Sequence, residues 1–263
     1  MRGKVQWVLV LAGVAWAGLS AVASAAWGFA SFTTPRHTVT ITTETGGPVT
    51  KVDVRNDNGD IAFRPGSPGA VTRTEAWNFV RPSYTQSLHS GTLTIRVRCP
   101  KNVSNNRCSV RLAITVPPTV DISARTTNGN VRAAGFQSQA VVANSTNGDV
   151  NVALDAQPVG LSLRTINGNV TAKASGKVNA AHSEVTATST NGNVDVSLKR
   201  APTTLSLATV TGSIRGRVPA GSYRLTTHTV FGRVSVNGLR NDPNTSDAVS
   251  ARTAFGNISL SGG

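Results

Sequence analysis

Few residues of this 263-residue chain could serve as acid, base, nucleophile or metal ligand, and their spacing sets none of them up to do so. The four histidines, His37, His89, His182 and His228, are scattered. His182-Ser183-Glu184 has the residue types of a hydrolase, but neighbours along a strand point to opposite faces. The triplet therefore reads as a polar loop between structural units. The 12 acidic residues form no evident pair. Asp60 and Asp149, each following Asn-Gly, suggest calcium. The calcium-binding solenoid repeat, however, is a nonapeptide with a different glycine pattern. A carboxylate or amide after the glycine is expected to hydrogen-bond its own bend. No phosphate loop, nucleophile elbow or zinc spacing occurs, so neither metal nor cofactor is expected. Asn102-Val103-Ser104, Asn144-Ser145-Thr146 and Asn169-Val170-Thr171 match a glycosylation sequon, as chance supplies in a chain rich in Asn, Ser and Thr.

Cys99 and Cys108 are the only cysteines. They flank an Asn-rich loop between two alternating stretches, Thr92 to Arg98 and Ser109 to Val116. A metal site would need more ligands. In an exported chain the pair reads as a disulfide that pins the loop.

What remains is repetition. Thr127-Asn128-Gly129-Asn130-Val131 recurs closely at Gly148, Gly168 and Gly192 and loosely at Gly212, Gly232 and Gly256, with an outlying copy at Gly59. From Gly129 onward the glycines are 19, 20, 24, 20, 20 and 24 residues apart. A fixed period near 20 marks a repeat architecture. Two residues after the glycine stand Val131, Val150, Val170, Val194, Ile214, Val234 and Ile258. Seven before it the residue is always aliphatic, from Ile122 to Val249. Three before it stand Thr126, Ser145, Thr165, Ser189, Thr209, Thr229 and Thr253. Four before it lie polar residues, among them Arg125, Arg164, His228 and Arg252. Period-2 alternation rich in β-branched residues means strands with one buried face. Each repeat is strand, Asn-Gly bend, strand, loop, because Asn and Gly take the positive φ of a sharp bend cheaply. A parallel β-solenoid and an antiparallel hairpin array both satisfy this parity. The sameness of residue type at each offset favours the solenoid, in which every coil stacks on a copy of itself. Phe231 and Phe255, before successive late glycines, are placed to stack, and Arg233, Arg240 and Arg252 to discourage edge-to-edge pairing.

The chain organises as residues 1–32, a signal peptide or signal anchor; 33–50, a stalk entering a strand at Thr38 to Thr42; 51–118, irregular capping coils with the disulfide loop; and 119–263, the regular coils. Val5 to Phe32 is an apolar run preceded by Arg2 and Lys4. Cleavage after Ala23-Ser24-Ala25 competes with an uncleaved anchor whose Trp7 and Trp27 sit at the two interfaces. The length of the run favours the anchor, and either outcome exports the remainder. Arg64 to Ser90, with Pro65, Pro68 and Pro82, reads as a loop or distorted coil over the open end of the stack. The low aromatic content, 5%, suits a narrow core of Val, Ile, Leu, Ala and Thr.

The net charge is +14. Lys199, Arg200, Arg215, Arg217, Arg224, Arg233, Arg240 and Arg252 face only Asp242 and Asp247 in the C-terminal part. Such a surface attracts polyanions. For an exported chain these are lipid head groups, wall polymers or acidic polysaccharide. Cytoplasmic nucleic acid is excluded by topology.

The chain resembles the bacterial "putative adhesin" β-strand-repeat family, an exported domain of uncharacterised function. The matching residues are the Gly-[Asp/Asn]-[Val/Ile] copies, Leu93-Thr94-Ile95-Arg96-Val97 leading to Cys99-Pro100, Cys108-Ser109-Val110 running into Ile114-Thr115-Val116-Pro117, and Val218-Pro219-Ala220-Gly221. The resemblance covers most of residues 50–260. It implies an all-β, right-handed parallel solenoid behind an N-terminal hydrophobic helix. It supplies no catalytic residues, and the acidic Ser-Gly-Asp of many relatives is mostly Asn-Gly-Asn here. The function expected is a non-enzymatic envelope protein, adhesin-like or scaffolding, that meets the membrane through its N-terminus and an anionic polymer or another surface protein through its coils. The alternative is a polysaccharide-active enzyme on the same scaffold. Ice binding through outward threonines is disfavoured, because the Thr ladder shares parity with the core.

Overall fold

The computed structural model describes residues 36–101, 107–176 and 182–263. The expected export segment and the Asn102 sequon lie outside the described residues. Among the described residues there is no helix, and therefore none long and apolar enough to cross a membrane.

In the compact unit Thr38–Gly263 every regular element among the described residues is a strand. Its N-terminal part holds β1 (His37–Glu44), β2 (Lys51–Asn58), β3 (Ile61–Pro65), β4 (Ala70–Trp77), β5 (Ser83–His89), β6 (Thr92–Arg98) and β7 (Ser109–Val116). The regular coils follow as strand pairs: β8 (Asp121–Asn128) and β9 (Val131–Phe136), β10 (Ala140–Asn147) and β11 (Val150–Leu154), β12 (Gly160–Asn167) and β13 (Val170–Ala174), β14 (Glu184–Thr188) and β15 (Val194–Leu198), β16 (Thr204–Ala208) and β17 (Ile214–Val218). Last come β18 (Gly221–Phe231), β19 (Val234–Asn237), β20 (Leu239–Asn241), β21 (Ala248–Phe255) and β22 (Ile258–Gly262).

The first strand of each coil enters one 11-stranded sheet and the second enters another. From β8 to β17 neighbouring strands are parallel and in register, Val150 lying between Val131 and Val170, and Val141 between Ile122 and Leu161. The coils are therefore stacked copies, a β-solenoid, and the hairpin array is eliminated. The β-branched and aliphatic columns meet between the sheets, and Val131, Val150, Val170, Val194 and Ile214 are fully buried. Burying each such side chain contributes about 1.5–3 kcal/mol.

Spatial order departs from chain order at both ends. The first coil, β2 and β3, lies between the β6/β7 strands and the β8/β9 coil. The last, β21 and β22, inserts between β16/β17 and β18/β19. The repeat pattern fixes which residues stack but not which copy sits on which.

The stretch from Arg64 to Ser90, expected as irregular, contains β4 and β5. They pair antiparallel with β7 and β6 and close the N-terminal end. Within β4 itself, Glu75 is 1% exposed, with Arg81 Nε 2.7 Å and Arg73 Nε 2.9 Å from its carboxylate. The Arg73 N–H is not aligned for a hydrogen bond, so that contact is an ion pair by proximity. The Arg73 guanidinium lies 3.9 Å from the Tyr84 ring centroid. Burial pushes the Tyr84 phenol above its ordinary pKa, with Arg73 opposing. The Cys99–Cys108 disulfide joins the strands it was expected to join.

Candidate functional site

The bends make the surface regular. At Gly168 φ is +155°, and a Cβ there would overlap the Gly148 carbonyl of the coil beneath. Only glycine permits the backbone approach. That carbonyl then meets the Thr165 hydroxyl of the next coil at 2.8 Å. The same bond recurs from Thr126, Ser145, Ser189, Thr209, Thr229 and Thr253 to the glycine carbonyl of the coil beside each. The hydroxyl column faces inward and works as internal wiring.

Two further columns run outside it. Asn147, Asn167 and Asn191 each donate a side-chain N–H to the preceding asparagine, beginning with Asn128, at 2.8 Å. After the glycine, Asp60, Asn130, Asp149, Asn169 and Asn193 each accept the backbone N–H of the equivalent residue in the next coil, at 2.7–2.9 Å. This corrects the expectation that these side chains bond their own bend: in a parallel stack the next coil's N–H lies in line with them. Asp60 and Asp149 are thus structural acceptors. Among the described residues no group of three or more His, Cys, Asp and Glu comes together. His182 and Glu184 face solvent, whereas Ser183 is buried and donates to the Pro158 carbonyl at 2.8 Å.

The strands present their alternate residues to solvent as straight rows. On the sheet containing β2, β8, β10 and β12, one row reads Arg96, Arg55, Arg125, Asn144, Arg164 in strict register. Arg96 is paired with Asp53 at 2.7 Å. Arg55, Arg125 and Arg164 are exposed, and none of them joins an ion pair among the described residues. With Thr127, Asn144 and Thr146 they line a shallow groove of 390 Å³. Its one carboxylate, Asp57, accepts the Cys99 N–H at 3.2 Å. Rungs about 4.8 Å apart thus carry a file of guanidinium groups. The repeat alignment contained Arg125 and Arg164. Arg55 also stands four before its glycine, Gly59, but that copy is outlying in sequence, and only the interleaved order makes it their neighbour.

On the opposite sheet a second groove of 390 Å³ is lined by Asp149, Asn169, Asn193, Thr171, Asp195 and Arg215 among others. The cationic residues expected to gather in the C-terminal part are spread out. Arg215 and Arg217 lie on β17 of this sheet, and Arg224, Arg240 and Arg252 lie on β18, β20 and β21 of the other. Arg233 stands at the bend after Gly232. Lys199 and Arg200 turn the corner after β15, with Arg200 Nε donating to the Gly176 carbonyl at 3.2 Å.

The chain belongs to the Toastrack DUF4097 family, whose model matches residues 20–261. No curated protein matches it. Solved structures similar to it include a "putative cell adhesion protein" from Clostridium sporogenes, at 12% identity and TM-score 0.40, covering 87% of this chain and 100% of that one. A "putative adhesin" from Bacteroides fragilis is 16% identical with TM-score 0.41, over 86% and 98% of the two chains. A "putative lipid binding protein" from Parabacteroides distasonis is 13% identical with TM-score 0.24, over 86% and 96%.

Proposed function

We propose that this chain is a non-enzymatic binding module of the cell surface that holds an extended anionic polymer along one sheet of its solenoid. The observation that carries this is the exposed file Arg55, Arg125, Arg164, with Asn144 between the last two. A linear polymer lying along the stack, across the strands, meets a cation or amide about every 4.8 Å. Guanidinium forks suit phosphate and carboxylate alike. The flat, hydrogen-bonded columns keep the file straight without a ligand, so little ordering is needed on binding. Export behind the N-terminal apolar run, whether that run is cleaved or kept as an anchor, would set this face outside the cytoplasm.

Polysaccharide-active chemistry is the second reading, motivated by Asp149 and Asp195 in one groove. It is the weaker one, because Asp149 is committed to the N–H and side chain of Asn169.

The test is binding of the full-length chain in detergent to polyphosphate and to polygalacturonate. Arg55→Glu/Arg125→Glu/Arg164→Glu should abolish it and flatten its salt dependence, while Arg215→Glu/Arg217→Glu, on the other sheet, should weaken it only slightly. Undiminished binding by the triple variant refutes the reading.

A further inference from the structure

We infer that the C-terminal end of the solenoid is a docking edge for an extended strand of a partner protein, apolar on one face and acidic on the other. The two ends of the stack are finished differently. At the N-terminal end the chain supplies its own closure, β5 and β4 pairing antiparallel on β6 and β7, with Tyr84 and Leu88 packed on the core. At the other end no antiparallel pair follows among the described residues: β19 is an edge strand, as β1 and β5 are, but it ends the parallel stack itself. On the outer side of β18 the short β20 covers Gly221–Tyr223 and stops. Beyond it the Asn241 side chain takes the Leu225 N–H, and among the described residues no strand pairs with the rest of that edge.

The core is open at the same place. Val234 and Val236 occupy inward columns whose earlier members are buried, yet they are 43% and 37% exposed. Beside them the asparagine column gives way to Phe255 and Phe231. These rings stack at 5.1 Å, 7° from parallel, and are 53% and 64% exposed. Unpaired main chain next to apolar surface is the setting in which an added strand gains both hydrogen bonds and burial.

Charge selects the partner. β18 and β19 contain no carboxylate; they carry Arg224 and His228, and Arg233 stands at the bend between them, while Asp242 and Asp247 meet β18 only at Tyr223 and Arg224, beside the end that β20 covers. Neither arginine joins an ion pair among the described residues. A second copy would set these cations against their like, which is unfavourable across a strand pair. Acidic side chains on the outward face of an incoming strand would lie beside Arg224 and His228. Its apolar side chains would cover Leu225 and Val236, and an aromatic beside Phe231 would lengthen the ring column. This edge lies at the far end of the stack from the arginine file, so the two sites can be tested separately.

The probe is a fluorescein-labelled synthetic peptide in which Val and Glu alternate and one end is Phe, with a Val-Lys version as control. Against the full-length chain in detergent, saturable binding of the acidic peptide alone is expected. Slowed amide exchange should be confined to residues 224–237, and Arg224→Glu/Arg233→Glu should weaken binding about tenfold or more. Absence of binding, equal binding of the Lys peptide, or protection elsewhere overturns the inference. So does a dimer in sedimentation equilibrium that Val236→Lys dissociates, since a second copy would then own the edge.

Discussion

Thr165→Val isolates one bond of the inward hydroxyl column. Thr165 is 1% exposed, and valine keeps its shape while removing the donor. The Gly148 carbonyl then loses its 2.8 Å hydroxyl partner. A typical hydrogen bond is worth about 1 kcal/mol net, and a buried group left unmet costs about 1–3 kcal/mol. The more apolar side chain recovers part of that, so a loss of about 1–2 kcal/mol is expected. In urea this lowers the unfolding midpoint by roughly 0.5–1 M for an m-value near 2 kcal/mol/M. Thr165→Ser, which keeps the hydroxyl, should stay within about 0.5 kcal/mol of the parent apart from its lost methyl. Thr126 and Thr209 stand four rungs apart, about 19 Å at 4.8 Å per rung, so their valine variants should add. If Thr165→Val is as stable as the parent, the column contributes packing alone and the account of the bends is wrong.

The bend glycines and the N-terminal cap give sharper contrasts. Gly168→Ala drives a methyl into the Gly148 carbonyl at a positive φ and should cost more than about 3 kcal/mol, whereas Gly160→Ala meets open space and should stay within about 1 kcal/mol by the same urea titration. Glu75→Gln removes the charge that Arg73 and Arg81 surround and strands Arg73, whose side chain is 17% exposed. A loss of about 3–5 kcal/mol is expected, and a loss below about 1 kcal/mol would mean that the cation–π contact with Tyr84 holds Arg73 unaided.

The columns were legible in the sequence because stacking onto a copy demands one residue type at one offset. Val131 through Ile258, Thr126 through Thr253 and the Phe231–Phe255 stack all follow from that rule. Chain position carries no comparable signal for spatial order. Nothing in Asn58-Gly59-Asp60-Ile61 says that it touches the coil of Gly129 across the strands β4 to β7, and Arg55 stayed hidden with it. β4 and β5 were obscured by Pro65, Pro68 and Pro82, which mark the turns around these strands. The number of outward cations is legible in the sequence and their placement is not: composition of the C-terminal part cannot distinguish Arg217 on one sheet from Arg252 on the other.

The interleaving at both ends has one physical consequence for how this solenoid keeps its ends. A sequential stack frays from its last coil, where a single ladder holds a free chain end. Here β22, which runs to Gly262, has a strand on each side, β17 and β19. β2, near the start, is likewise held between β6 and β8. The outermost coil, β18 and β19, is an internal loop of chain tied at both its ends. At one it continues from β17, and at the other it leads through β20 into β21. Separating it from the stack frees no terminus and leaves the coil beneath still paired to β16 and β17. The exposed edge thus belongs to an internal segment, while β22 one rung below is paired on both sides. That division of labour explains why Val234, Val236 and the two phenylalanines can remain uncovered without the stack unravelling from that side.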